Sequence, residues 1–325
     1  MSIFDTGVNP LSKFKVVPVF LAINSAYAPY AATAINSLVK KTDPKRYYRV
    51  IILHDGLNWA NRIRLRNLVT KNCAIQFKKI DRNLYLKAVI SYCAKRKGAG
   101  DFFSAAVYYY RFFIPRLFPQ YNKCVYIDSD TILLGDIGEL FDTELGENVV
   151  AAMVDPKVDV IPEFKAYVNN AVGVPHTEYV NDGVMVMDLK KMRKMHYLST
   201  LVSMIEKYDA DLVAPDQDYL NVICRGKIKH LEPIWNAEPS KKLPKDTKLV
   251  HFNLFNKPWH YKNVPAEEIF WKAAKGTGFY KDLKRQQEKF GKEKQKAEQE
   301  KVGALIKKAG KLGKLKKPIM KLPEK

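Results

Sequence analysis

Lys123-Cys124-Val125-Tyr126-Ile127-Asp128-Ser129-Asp130 reads as a short buried strand that runs straight into two carboxylates. Val125, Tyr126 and Ile127 are strand formers. Asp128 and Asp130 follow one residue apart. Side chains two apart in an extended chain point the same way, so both carboxylates can face one point. Two hard oxygen ligands at one point suit a divalent cation such as magnesium or manganese. In open α/β sheets, ligands gather beyond the carboxyl ends of strands. A solvated acidic turn is the plainer alternative, because Asp-x-Asp alone is a common pattern.

Upstream, apolar strand-like runs alternate with helix-like segments. Val16 to Ile23 is almost continuously apolar, as in a strand buried on both faces, although Pro18 interrupts it. Asn24 to Tyr27 is a polar turn, and Ala28 to Leu38 is a small-residue helix. Tyr48 to Leu53 is a second strand, Trp59 to Val69 a basic helix and Ala74 to Ile80 a third strand. This alternation predicts parallel βαβ units. Ser104 to Ile114 reads as a helix that Pro115 ends or kinks. It carries Arg111 among Tyr108, Tyr109, Phe112 and Phe113, a setting that calls for a partner to the charge. That partner is either an internal aspartate or a substrate. Lys95 to Asp101 is a basic loop whose glycine spacing does not make a phosphate loop.

Downstream, Val149 to Val154 is an apolar strand ending in Asp155, which reads as a residue of the same edge or as a turn before Pro156. Residues Pro156 to His176 lack strong periodicity and are expected to form a lobe over the site. Asn181-Asp182-Gly183 carries a turn signal before a buried strand from Val184 to Met187. Leu189 to Tyr208 has helical spacing. Pro215-Asp216-Gln217-Asp218 opens another helix, with proline and acids where a helix start prefers them. Capping explains one of these acids and does not require all three polar residues. Leu249 to Phe252 is a short strand holding His251, and Lys257-Pro258-Trp259-His260 follows. His251 at a strand end is placed to approach the same cation as Asp128.

Charge and cysteine content narrow the classes. The 325 residues carry a net charge of +21, which implies an anionic partner. No zinc, helix-turn-helix or aromatic-strand signature of nucleic-acid binding is present, so no nucleic acid is expected. The four cysteines are widely spaced, as buried thiols of a reducing compartment would be. Met1 to Pro10 lacks the pattern of a signal peptide, and no apolar run reaches the length of a membrane span.

The order Tyr-Ile-Asp-Ser-Asp, then Asn-Asp-Gly-Val, Asp-Gln-Asp and His with Lys-Pro-Trp resembles the family-8 glycosyltransferases. The likeness runs from about Val16 to Trp271 and is nearest to bacterial galactosyl- and glucosyltransferases of cell-surface glycans. It implies a retaining enzyme with a GT-A fold: a Rossmann-like, mostly parallel sheet flanked by helices. A UDP-hexose would be the donor, and a glycan, glycolipid, lipid-linked sugar or glycoprotein the acceptor. Asp128, Asp130 and His251 would ligate manganese (or magnesium), and Lys257 would meet phosphate charge. Asn24, Tyr27 and Ser129 would contact the nucleotide. Arg111, Asn181, Asp182, Asp216 and Gln217 would hold the donor sugar, with Asp155 on the acceptor side. Gln217 faces the anomeric carbon in the family. An amide is a poor nucleophile, so same-face attack is the preferred route, and double displacement on Asp216 is the other. Relatives differ at two places: this chain has Ile23-Asn24-Ser25-Ala26 at the first turn, and Leu254 where many have glycine.

The resemblance divides the chain into a leader (1–14), a catalytic domain (15–275) and a lysine-rich tail (276–325). From Lys281 the composition turns basic, and the tail holds roughly half of the net charge. Val302, Leu305, Ile306, Ala309 and Leu312 fall on one helical face among lysines. Such a segment reads as a helix that forms on an anionic membrane, or else as a solvated tail. Gly303, Gly310 and Gly313 would weaken it by about 1 kcal/mol each until a surface supports it. The expectation is a cytoplasmic enzyme, peripheral on the inner face of a membrane. The rival class is a noncatalytic basic membrane-surface or nucleic-acid-binding protein with a degenerate sugar-nucleotide domain.

Overall fold

Strand and helix alternate from the start: β1 (Lys15–Ile23), α1 (Ala28–Val39), β2 (Arg46–His54), α2 (Trp59–Arg66) and β3 (Cys73–Lys79). The computed structural model describes residues 15–81, 84–96 and 105–322. The leader 1–14 and most of the Lys95–Asp101 loop lie outside the described residues. β2 pairs in parallel with both β1 and β3, as the alternation predicts. The small residues of α1 let it lie close under the sheet, with Ala31, Ala32, Ala34 and Ile35 fully buried.

Next come α3 (Leu84–Ala94), a 3-10 helix (Ala106–Phe113) and α4 (Ile114–Leu117). The single helix expected from Ser104 to Ile114 is thus a 3-10 helix that passes into an α turn. Pro115 opens that turn rather than ending a helix, because a first-turn residue has no N–H bond to lose. β4 (Lys123–Ile127), β5 (Thr131–Leu133), α5 (Ile137–Phe141) and β6 (Val150–Val154) follow. Then α6 (Lys157–Val160), α7 (Pro162–Tyr167) and a π turn (Val168–Val172) form the lobe between Asp155 and β7 (Val180–Asp188).

β7 corrects the reading of Asn181-Asp182-Gly183 as a turn. These residues lie inside the strand, which runs antiparallel between β4 and β6. The sheet supplies partners on both sides, and the amide of Asp128 donates to the Gly183 carbonyl at 2.7 Å. The expected helix Leu189 to Tyr208 is two helices, α8 (Leu189–Lys194) and α9 (Tyr197–Tyr208), broken where His196 takes a φ of 55°. The chain continues through α10 (Pro215–Ile223), β8 (Ile228–His230), β9 (Leu249–His251), α11 (Glu267–Ala274), α12 (Tyr280–Glu288) and α13 (Lys292–Leu312).

The seven-stranded sheet has the order β3-β2-β1-β4-β7-β6-β8, and only β7 opposes its neighbours among the described strands. Alternate strand residues feed two apolar layers: Phe20 and Tyr126 face one, Val19, Leu21 and Val125 the other. A separate ribbon pairs β5 with β9 in antiparallel fashion, with Thr131 opposite His251. This ribbon carries His251 back beside the end of β4.

The tail is a built part of this architecture. Leu305, Ala309 and Met320 are buried in the same apolar layer as Phe164 and Tyr167 of α7. Gly313 lies where an added Cβ would come within 2.9 Å of Ala166 and 3.0 Å of the Tyr167 nitrogen. Asn170 donates to the Gly313 carbonyl at 2.7 Å, and the Ile319 amide to Ala171 at 2.8 Å. The apolar face expected to lie on a membrane is therefore covered by α7, and the surface that supports α13 is the protein's own. Leu305→Ala should cost about 2–5 kcal/mol of stability, as buried leucine truncations do. Truncation after Tyr280 should destabilise the chain further, and urea denaturation monitored by circular dichroism checks both.

Candidate active site

The end of β4 is the centre of the site. Tyr126 and Asp128 share a face two residues apart, and the Tyr126 hydroxyl donates to Asp128 Oδ1 at 2.9 Å. The chain then turns, and the β5–β9 ribbon sets His251 opposite. Asp128, Asp130 and His251 offer ligand atoms that all lie within 4.8 Å of one another. His251 Nε2 is 3.1 Å from Asp130 Oδ1 and 3.9 Å from Asp128 Oδ2. Its Nδ1 meets Asn236 Oδ1 at 2.9 Å, which fixes the ring and leaves Nε2 for the carboxylates.

Gly183 makes this approach possible. A Cβ there would sit 2.4 Å from His251 Cε1 and 2.8 Å from Asp128 Oδ2. Two carboxylates and an imidazole, crowded around a position that tolerates no side chain, fit manganese well and magnesium less well. Lys257 Nζ contacts Asp130 Oδ2 at 2.5 Å. Burial works against ionising Asp130, yet Lys257 and His251 hold it well below the usual carboxylate range.

Arg111 is the hub on the other side. It is 2% exposed and lies 4.6 Å from the ring centre of Tyr126. Its Nη1 reaches Asp182 Oδ1 at 2.7 Å, and its Nη2 reaches Asp128 Oδ1 at 3.1 Å and Asp216 Oδ2 at 3.6 Å. The partner sought for this arginine is three carboxylates from three elements. Burial raises Asp128 and Asp182 above their ordinary range despite Arg111. It raises Asp216 to about 6. Asp182 Oδ2 is buried and has no hydrogen-bond partner among the described residues.

Gln217 is held at both ends. Its Oε1 accepts from Asn181 Nδ2 at 3.1 Å and from the Asp182 amide at 3.3 Å. Its Nε2 donates to Asp155 Oδ2 at 3.0 Å. Asp155 also accepts from the Lys157 amide, so it anchors the start of α6. Asp218 points the other way, into the core. It accepts from Tyr167 at 2.6 Å, Tyr179 at 2.7 Å and the Ala214 amide at 3.1 Å. Burial pushes its carboxyl up to about 7 against these hydrogen bonds.

Arg111, Asp128 and many of the side chains around them line one cleft with two arms that share Tyr108, Arg111, Asp128, Asn253 and Leu254. One arm runs toward Asp155, Asn181, Asp182, Asp216 and Gln217, under the lobe and Leu305. The other runs past Ser129, Asp130 and Lys257 toward Asn24, Tyr27 and Trp259. Asn24 Oδ1 also caps the turn after β1 by accepting from the amides of Ala26 and Tyr27. Each site residue expected from the sequence therefore borders this cleft or its metal-type cluster. The sequence reading missed Asn236, which no local pattern marks, and Tyr126, which strand alternation beside Asp128 would have found. It also missed Leu305 and Glu298 of the tail, both of which line the cleft.

The fold and the cleft define a GT-A glycosyltransferase architecture. The galactosyltransferase LgtC, solved with donor and acceptor sugar analogs, superposes with a TM-score of 0.67 at 22% identity, covering 81% of this chain and 96% of its own. The bifunctional glycosyltransferase WbbM gives 0.70 at 24% identity over 86% of this chain, which spans 53% of WbbM. General stress protein A of Bacillus subtilis is 28% identical over 77% of this chain and 90% of its own length. The model of glycosyl transferase family 8 matches residues 18–263, and the chain belongs to that family.

Asp218 gives a pH test. Its folded pKa lies above the ordinary 3.8, so folding favours the neutral acid. The stability it contributes is complete below that value and is lost as pH rises through about 7. Asp218→Asn should flatten the dependence of the melting temperature on pH between 5 and 8. Identical slopes for the two proteins would refute the assignment.

Proposed function

We propose that this chain is a metal-dependent, retaining hexosyltransferase. It moves galactose or glucose from a UDP-sugar to a glycan, glycolipid or glycoprotein of the cell surface. The observation that carries this reading is the convergence of Asp128, Asp130 and His251 at the end of β4, in a family-8 chain. These three residues would hold manganese or magnesium. The bound metal supplies Lewis-acid neutralisation of the diphosphate.

The remaining roles belong to the chain's own side chains. Lys257 adds positive charge beside the diphosphate, and Ser129 lines the same arm. Asn24 and Tyr27 receive the uracil and ribose. Arg111, Asn181, Asp182 and Asp216 hold the donor hexose, and the unpartnered Asp182 Oδ2 is available to a sugar hydroxyl. Asp155 stands on the acceptor side and orients Gln217 toward the anomeric carbon. Same-face attack suits this arrangement: the bond from the anomeric carbon to phosphate breaks, and the acceptor oxygen bonds to that carbon on the same side. The acceptor's proton passes to the departing phosphate oxygen. Asp216 is a poor fit to a nucleophile, because it is 3% exposed and faces Arg111. Gln217, with both ends of its amide engaged, stabilises positive charge at the anomeric carbon by its dipole.

Asp130→Ala should abolish manganese-dependent UDP binding and donor hydrolysis while the far-UV spectrum is unchanged. Gly183→Ala should weaken both by pushing His251 and Asp128 apart. Full activity in chelator would sink the metal assignment. Proton NMR of the first product from an α-donor should show an α-linkage, and a β-linkage would exclude retention. A glycosyl adduct on Asp216 in mass spectrometry would replace same-face attack by double displacement.

We also read the tail as an electrostatic contact to an anionic bilayer, placing the enzyme at the cytoplasmic face. No helix among the described residues is long and apolar enough to cross a membrane. Lys301, Lys307, Lys311, Lys314, Lys316 and Lys317 are exposed, whereas the apolar face of α13 is covered. Charge rather than insertion would then dominate, at on the order of 1 kcal/mol per lysine. Binding to phosphatidylserine vesicles should fall steeply as salt rises. Lys307→Glu with Lys311→Glu and Lys314→Glu should abolish it and leave donor hydrolysis intact. Sedimentation with neutral vesicles to the same extent would rule the idea out.

A further inference from the structure

The nucleotide arm of the cleft is lined by one residue outside the span shared with the family. Its wall includes Tyr27, Tyr30, Lys257, Trp259, His260 and Glu298. Glu298 lies on α13, beyond residue 263 where the family match stops. It is the one wall residue among those described that comes from outside that match.

Its carboxylate is held rather than free to swing. Oε1 meets His260 Nδ1 at 2.9 Å, and Tyr261 also hydrogen-bonds to it. The His260 ring stacks on Phe290 with centroids 3.8 Å apart and planes 1° from parallel. Gln287 donates to the carbonyls of Pro258 and Tyr261 at 2.7 and 2.9 Å, so α12 clasps the same segment. That segment is the one that carries Lys257. The side chain of Glu298 is 20% exposed at the cleft wall. Burial would raise its pKa, but His260, Tyr261 and the charge of Lys257 hold it below the usual range.

A carboxylate offers about four lone-pair sites, and His260 and Tyr261 occupy only part of them. An ionised acid here repels phosphate and accepts from neutral donors. The same arm also holds Lys257 and Asp130 of the metal-type cluster, which suit a diphosphate. Tyr30 and Trp259 stack at 4.2 Å and make the chamber aromatic. Of the parts of a nucleoside diphosphate, the neutral sugar and base suit a wall at Glu298 and the phosphates do not. Ribose presents two adjacent hydroxyl donors, the group a carboxylate binds best in such a wall. We propose that Glu298 is a nucleoside-binding residue that accepts hydrogen bonds from the ribose hydroxyls, making α13 part of the donor site. This rests on the UDP-sugar reading above.

Calorimetry on the full chain with manganese tests it, using UDP, 2′-deoxy-UDP and 3′-deoxy-UDP. The wild type should bind UDP about tenfold or more tightly than at least one deoxy analogue. Glu298→Ala should lose that factor for UDP and show almost no further loss for the deoxy analogue. Equal weakening of all three nucleotides would mark Glu298 as a merely structural support and overturn the proposal. If Glu298→Ala does not fold, Glu298→Gln, of the same shape, should reduce the preference for UDP. A wild type that binds all three nucleotides equally would also overturn it. Failure of the wild type to bind UDP at all would instead overturn the donor reading, and this proposal with it.

Discussion

One buried guanidinium holds the cleft together. Arg111 meets Asp128 at the end of β4, Asp182 within β7 and Asp216 at the start of α10. An unpaired arginine at 2% exposure would be prohibitively costly, and three clustered carboxylates without it would repel. The strands and helices that carry these groups are therefore locked to one point. Burial outweighs this one cation, and Asp128, Asp182 and Asp216 stay above their ordinary range. Lys257 adds a second positive charge at Asp130. A divalent cation held by Asp128, Asp130 and His251, as proposed, would add more and favour the ionised carboxylates.

The sequence exposed this centre because its parts are local. Alternation along the extended chain turned Asp128 and Asp130 toward one point, and the βαβ rhythm placed β1, β2 and β3 in parallel. What it hid depends on contacts distant along the chain. Asn181-Asp182-Gly183 has the composition of a turn, yet β4 and β6 offer pairing on both sides, and tertiary hydrogen bonds override local preference. Gly183 does not serve a left-handed turn there. It serves the close approach of His251 and Asp128. Asn236 orients His251 from a loop that no periodicity announces.

The tail shows the same difference between pattern and context. Its apolar stripe was legible, and so was the excess of lysine. The partner of the stripe was not, because a helix cannot reveal from its own spacing whether lipid or protein will cover it. The glycines point to the answer only once the neighbour is known. Gly310 and Gly313 sit against Glu163, Ala166 and Tyr167, where side chains would hold α13 away from α7. A sequence that weakens a helix at these positions gains a closer contact there, and the helix is stabilised by packing rather than by propensity.

Leu254 brings these strands of reasoning to the centre of the cleft. It takes a φ of 61°, a conformation that costs a residue with a Cβ roughly 1–2 kcal/mol. Glycine is the easy occupant of such a position, because it has no Cβ to strain. Here the strain persists because both flanks are fixed. β9 pairs with β5 just before it, and Lys257 is tied to Asp130 just after it. The leucine side chain is also used: it packs against the apolar layer and borders both arms of the cleft. A glycine would leave a flexible gap between the two arms. Leucine makes that boundary a wall, so this chain divides its cleft with a side chain held in a conformation that the surrounding fold imposes.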